Sequence, residues 1–202
     1  HGEAGPGSRW AASATVGSRV LLLGPRKGVV YGGIEFAAPE DSELLLVGDE
    51  TAVPAIAAVL AQLPVDAAGA AFLEVPLGVD VQSLVHPPRV EVTWLPREGR
   101  PVGSLLHEAV LGHLGAGAAP VEVPEAEVEV GLWETPTYSS SGDSLDEHTT
   151  SVGHDLADLY AWIAGESRVV TGLRRALVRD LGLDRRQVAF MGYWREGVSM
   201  GA

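Results

Sequence analysis

"LLLVGDETAVPAIAAVLAQLP" (residues 44–64) joins four apolar residues to a Gly-Asp-Glu-Thr turn and then to a helical pattern. A strand that runs straight into a helix leaves free N–H groups at the helix start, where the macrodipole favours an anion. The same residues also serve folding alone, because Thr51 suits an N-cap and Pro54 suits a first helical turn. Strand, glycine and helix by themselves leave both readings open, a plain helix start or a seat for a phosphate.

From residue 43 onward, apolar strand runs alternate with amphipathic helices. The patterning predicts strand 43–48, helix 51–63, strand 69–75, strand 89–95, helix 103–114, strand 159–164, helix 166–181 and strand 187–193. Such alternation specifies an α/β fold, an open parallel sheet with helices on its faces. Ahead of it, "SRWAASATV" predicts a short helix and "SRVLLLGPRKG" a strand ending in a Gly-Pro turn. Between the two halves of the alternation, acidic and β-branched residues predict a strand near 127–133, followed by a polar loop over 136–154. Glu122, Glu125, Glu127 and Glu129 recur at close to period two, which makes them one solvated face rather than a ligand set.

Composition narrows the chemistry. The 202 residues are 46% apolar, enough for a buried core. A net charge of −13, from 27 acidic and 14 basic residues, argues against nucleic acid as the main partner. With no cysteine, disulfides, thiolate metal sites, iron–sulfur clusters and a cysteine nucleophile are excluded. No apolar run approaches the roughly 20 residues that span a bilayer, and "HGEAGPGSRW" lacks the basic and apolar regions of a signal peptide. The expectation is a cytoplasmic protein without a membrane partner. The opening, with no Met and no evident first element, reads as a fragment of a longer protein.

Open parallel sheets bind ligands at the carboxyl ends of their strands, where strand order reverses. Three turns are candidates: "GDET" at 48–51, "EVPLG" at 74–78 and "AGES" at 164–167. A dinucleotide across them would meet glycine backbone, two helix starts and acidic side chains for ribose hydroxyls. Neither GxGxxG nor a P-loop is present, and no GxSxG elbow surrounds Ser167. His107 and His113 are six apart, which does not stack them as a metal pair, so no metal site is expected.

Together, "GPGSRWA" (5–11), "LLLGPRKG" (21–28), "LLLVGDETAVPAI" (44–56), "VEVTWLPREG" (90–99) and "YAWIAGESRVVTGLRRALVRDLGLDRRQVAFMGYWREG" (160–197) resemble the siderophore-interacting protein family. Its members are FAD-dependent ferric-siderophore reductases of the ferredoxin-reductase-like superfamily. The resemblance runs in order through almost the whole chain, outside a loop from about 116 to 157.

The resemblance implies a division into residues 1–37, the C-terminal remnant of an FAD-binding β-barrel, and 38–202, an NAD(P)H-binding domain. It places Gly7, Ser8, Arg9, Trp10 and Ala11 at the FAD pyrophosphate, at a helix start. Gly48, Asp49, Glu50, Thr51 and Ala52, with Gly165 and Glu166, fall on the nicotinamide-nucleotide side, which favours the seat over the plain helix start. Trp194 would lie beside the flavin. Arg195 would line a basic pocket for the anionic iron chelate, with Arg26 and Lys27 as helpers. The upstream barrel strands with their Arg-x-Tyr-Ser/Thr motif are missing, so this chain alone is not expected to hold FAD tightly or to turn over by itself.

The implied activity is reduction of a ferric siderophore by NAD(P)H through FAD, releasing ferrous iron. The alternatives are a flavin reductase with another acceptor and a non-catalytic nucleotide- or siderophore-binding module. For the nicotinamide nucleotide the residues pull two ways: Glu74 near the end of its strand would favour a free 2′-hydroxyl, whereas Arg97 and Arg100 would accept a 2′-phosphate.

Overall fold

The computed structural model describes residues 6–24, 35–116, 123–124, 128, 133–135, 138–139 and 156–198. The chain falls into two compact units, His1–Gly33 and Ile34–Ala202. In the first, helix α1 (Pro6–Ser13) begins on a proline, whose fixed φ suits a first helical position. Its last turn is closed by Ser13 Oγ, which donates to the carbonyls of Arg9 and Trp10. The strand expected over "SRVLLLG" is corrected, since residues 18–24 carry no strand pairing. Leu21, Leu22 and Leu23 are 86%, 84% and 94% exposed. Apolar patterning favours an extended segment, but a strand exists only where a neighbour takes its hydrogen bonds.

The second unit holds β1 (Glu43–Gly48), α2 (Val53–Leu60), β2 (Ala68–Val75), β3 (Arg89–Pro96), α3 (Ser104–His113), β4 (Trp133–Thr135), β5 (Tyr138–Ser139), β6 (Leu159–Glu166), α4 (Ser167–Arg174) and β7 (Val188–Trp194). The sheet order is β3-β2-β1-β6-β7-β4-β5. The first five strands are parallel, and β4 runs antiparallel to β7 and β5. Leu44 and Leu46 face the α2 side, where they pack with Ile56, Leu60, Tyr160 and Trp162. Leu45 and Val47 face α3 and α4, with Leu106, Val110, Val169 and Leu173. A central parallel strand covered on both faces needs apolar residues at every position, which is why "LLLV" is continuous rather than alternating.

The chain builds outward from β1 through β2 to β3, then returns to place β6 and β7 on the other side of β1. Strand order therefore reverses between β1 and β6.

The start of α2 differs from expectation, and the helix after β6 changes its winding along its length. Helix α2 starts at Val53, not residue 51, because Ala52 N–H and Val53 N–H both turn back to the Asp49 carbonyl. Beyond α4 the helix continues over Arg175–Asp180 with wider turns, Leu181 N–H donating to Ala176 O. Within the expected loop 136–154, Tyr138–Ser139 form a short strand on β4, since an antiparallel edge accepts a hairpin partner without a crossover. The strand expected near 127–133 is described only at Val128, which is buried and carries no strand pairing, and at its end, in β4. Its residues 127 and 129–132 lie outside the described residues, as do Glu122, Glu125, Glu127 and Glu129.

Candidate functional site

The carboxyl ends of β1 and β6 emerge side by side, with Gly48 in register with Ala164. Gly48 is a point of close approach between strand and helix, because a Cβ there would lie 2.5 Å from Ala52 Cβ and 2.9 Å from Ile56 Cδ1. Gly165 has φ +149, and a Cβ on it would lie 2.6 Å from an Asp49 carboxylate oxygen. Both features require glycine: the space kept at Gly48 is taken by Ala52 and Ile56, and that at Gly165 by Asp49.

Asp49 is 2% exposed and ties three strand tips together. Its Oδ1 accepts from the Thr51 N–H and hydroxyl. Its Oδ2 accepts from Glu166 N–H at 2.7 Å and Trp194 Nε1–H at 2.7 Å. Burial pushes the Asp49 carboxyl up, and the donors from Thr51 and Trp194 oppose that shift. Thr51 therefore does not cap α2 as expected. Ala52 occupies the cap position without a side-chain bond, and the Thr51 hydroxyl serves Asp49 instead.

The free helix-start amides expected from the sequence are largely taken. Thr51, Ala52 and Val53 N–H are bound within the Asp49 turn, and Pro54 has none to offer. At α4 the Glu166 carboxylate fills the same role. Its Oε2 accepts from Arg168 N–H at 2.7 Å and Val169 N–H at 3.1 Å, while Oε1 accepts from Glu196 N–H. The acidic side chains of the two motifs thus occupy donors that a phosphate would otherwise use.

Glu50 and Glu74 are also engaged. Glu50 receives a two-pronged bond from Arg97, at 2.7 and 2.9 Å. Burial works against the Glu50 charge, but the Arg97 fork outweighs it and its pKa is lowered. Glu74 is fully buried at the tip of β2 and caps α3, accepting from Gly103, Leu105 and Leu106 N–H. Burial pushes its carboxyl up. Glu74 is therefore not turned to a ribose, because it is an interior-strand carboxylate that must be satisfied inside the protein.

β7 ends in a bulge: Gly165 pairs with Gly192 and Glu166 with Trp194, leaving Tyr193 as the extra residue. The bulge sends the two aromatics to different partners. Tyr193 stacks on Trp133 and meets Trp162 edge-on, while the half-buried Trp194 reaches Asp49. Arg195, also half-buried, follows directly in a turn closed by Val198 N–H on the Arg195 carbonyl.

A cavity of about 770 Å³ opens at this edge between the starts of α3 and α4, its walls including Val102, Gly103, His107, Glu166, Arg168 and Val169. That volume lies in the usual range for small-molecule sites. His107 spans the two helices, its Nε2–H donating to Val169 O at 3.1 Å. Burial lowers its pKa below the usual 6.5.

The structure thus brings Gly48, Asp49, Glu50, Thr51, Ala52, Gly165, Glu166, Trp194 and Arg195 to one edge. Gly7, Ser8, Arg9, Trp10 and Ala11 lie in α1 of the first unit and are exposed. Arg26 and Lys27 lie outside the described residues. Sequence reasoning missed the Arg97 fork and the His107 bridge. An available signal was Glu74 itself, an acidic residue within an apolar strand, which needs a cation or backbone donors nearby.

A family model described as siderophore-interacting protein matches residues 41–197. An uncharacterized protein of Mycobacterium tuberculosis is 35% identical over 201 residues, spanning 98% of this chain and 58% of its own length. The ferric vibriobactin reductase of Vibrio cholerae is 27% identical over 197 residues, 98% of this chain and 57% of its own. A solved structure of a siderophore utilization protein from T. fusca superposes with TM-score 0.62 at 33% identity, covering 98% of this chain and 59% of that one. The chain thus spans somewhat more than half the length of these relatives. The fold is the ferredoxin-reductase-like one expected from the sequence, and the chain belongs to the siderophore-interacting protein family.

Proposed function

We propose that this chain forms the nicotinamide-nucleotide side of a flavin-dependent reductase that takes electrons from NAD(P)H to the iron of a ferric siderophore. In this reading residues 38–202 hold the dinucleotide, and residues 1–37 are the end of the FAD-binding barrel with Gly7–Ala11 toward the FAD pyrophosphate. The observation that carries it is the cavity at the carboxyl edge of the parallel sheet, walled by the starts of α3 and α4 and by Glu166 at the end of β6, beside the Gly48–Ala52 turn rather than lined by it. The name of the V. cholerae relative supports the choice of acceptor.

The residues at the edge fit a dinucleotide in a particular way. Val102 and Val169 offer apolar wall to a base or a nicotinamide ring, and Arg168, exposed at the rim, offers charge to a phosphate. Asp49 and Glu166 hold the strand tips rather than the ligand, since their carboxylates are already bonded within the protein. Trp194, fixed by its indole bond to Asp49, presents a rigid aromatic plane for a flavin, and the adjacent Arg195 is the residue we assign to the anionic chelate. When bound, the two cofactors supply hydride transfer from the nicotinamide and single electrons to iron, so one hydride serves two ferric centres. The protein's task is to align donor, carrier and acceptor. Ferrous iron is held weakly by hard oxygen ligands and leaves the siderophore in the cytoplasm.

The test is spectroscopic. The protein carrying this chain, loaded with FAD, should lose its visible flavin absorbance on adding NADH or NADPH and regain it without air when a ferric siderophore is added. Bleaching without recovery would point to another acceptor, and no bleaching at all would contradict the proposal.

A further inference from the structure

Asp49 and Glu50 are neighbours in the chain, yet they reach in opposite directions along the carboxyl edge. Asp49 ties β1 to β6 and β7 through Glu166 N–H and Trp194 Nε1–H. Glu50 reaches the other way, to the fork of Arg97 just after β3. Arg97 Nη1 also lies 3.3 Å from Glu74 Oε2, and Arg97 N–H donates to Val75 O at 2.8 Å. Glu74 in turn holds Gly103 N–H at 2.7 Å and Leu105 N–H at 3.1 Å. One continuous network therefore connects the tip of β1 to the stretch Pro101–Ser104, which is a wall of the large cavity.

The geometry leaves Arg97 little freedom to serve a ligand. It is 7% exposed and does not line the cavity. Both of its terminal nitrogens are spent on the two carboxylates. Gly103 is packed from behind as well: it has φ +81, and a Cβ there would lie 2.3 Å from Val169 Cγ2. Gly103 thus lies directly against the Val169 side chain, so the wall and the α3–α4 contact share this point.

We propose that Arg97 is a positioning residue for the dinucleotide and not a ligand of its 2′-phosphate: the Glu50–Arg97–Glu74 network sets the cavity wall at Pro101–Ser104, and NADH and NADPH depend on it equally. This rests on the cavity being the dinucleotide site. Neither Arg97 nor Glu74 then chooses between the two nucleotides, and any preference is set elsewhere at the edge.

The test is titration calorimetry of the whole chain with NADH and, separately, NADPH. Arg97→Lys keeps the charge and loses the fork. Its dissociation constants should rise about tenfold for both nucleotides with their ratio unchanged, and Arg97→Met should weaken both further. Glu50→Gln alters the partly exposed end of the network, with 30% side-chain exposure, and carries the test if the arginine variants do not fold. It should weaken both in the same ratio. Hydrogen exchange should show protection lost at Gly103, Leu105 and Leu106 and retained at Glu166, which separates a displaced wall from general unfolding. Selective loss of NADPH in Arg97→Lys would overturn the inference by making Arg97 a phosphate ligand. Unchanged binding of both would overturn it by making the network irrelevant. Wild-type protein that binds neither nucleotide would overturn the proposed function itself, and this inference with it.

Discussion

Two nearly identical strings in this chain have opposite fates. "VLLLG" at residues 20–24 is solvent-exposed and unpaired as a strand, whereas "LLLVG" at residues 44–48 is the central strand of the sheet. Leu22 is 84% exposed and Leu45 is 0% exposed. Their local preferences for extended backbone are alike. What differs is the neighbourhood: β1 has β2 and β6 on its two sides and helices over its two faces. A strand is a property of its partners as much as of its residues.

The sharpest way to break this comparison is to place one charge in each string. Leu45→Asp should cost about 4 kcal/mol or more, because a carboxylate would be buried without a partner. In the isolated 202-residue chain, Leu22→Asp should stay within about 0.5 kcal/mol, as surface changes do. Denaturant unfolding of both variants measures the contrast, and equal losses would mean that the first string is covered in the folded protein.

The next effects concern how the tip of β1 is held. Gly165→Ala should cost about 1–3 kcal/mol, since it forces a side chain into a positive-φ backbone and against Asp49. Asp49→Ala should cost about 1–3 kcal/mol, leaving Glu166 N–H and the Trp194 indole without their acceptor. Asp49→Asn, which keeps one acceptor oxygen, should recover part of that loss in the same thermal or denaturant measurement.

The smallest effect is pH-linked. The folded His107 pKa lies below 6.5, so the neutral ring is the form that the fold prefers. As pH falls below 6.5 the unfolded chain takes up this proton first, and stability falls. The contribution is complete above that value and is lost on acidification toward the folded pKa. His107→Gln should flatten this part of the acid limb in melting-temperature measurements, and an unchanged limb would show that other groups set it.

The alternation of strands and helices and the meeting of "GDET" with "AGES" were legible in the sequence, because each follows from local periodicity and one topological rule, whereas "EVPLG", expected at the reversal too, ends β2 one strand away from it. The roles of individual side chains were not. Thr51 looked like a helix cap and Glu74 like a ribose ligand, but both are claimed by contacts closed in three dimensions. Arg97 meets Glu50 across 47 positions and Trp194 meets Asp49 across 145. No window of sequence contains such pairs. The failure at residues 18–24 has the same origin, since pairing partners are not encoded in the strand itself.

The central claim is that a nicotinamide dinucleotide sits at the carboxyl edge of the parallel sheet, between the starts of α3 and α4. Hydrogen exchange with and without saturating NADH or NADPH tests it most directly. The account predicts new protection at Gly103–His107 and Arg168–Val169, and none at the smaller cavity of about 260 Å³ on the opposite edge, around Glu40–Ser42 and Asp158. Protection at that opposite edge, with the α3 and α4 starts unchanged, would contradict it.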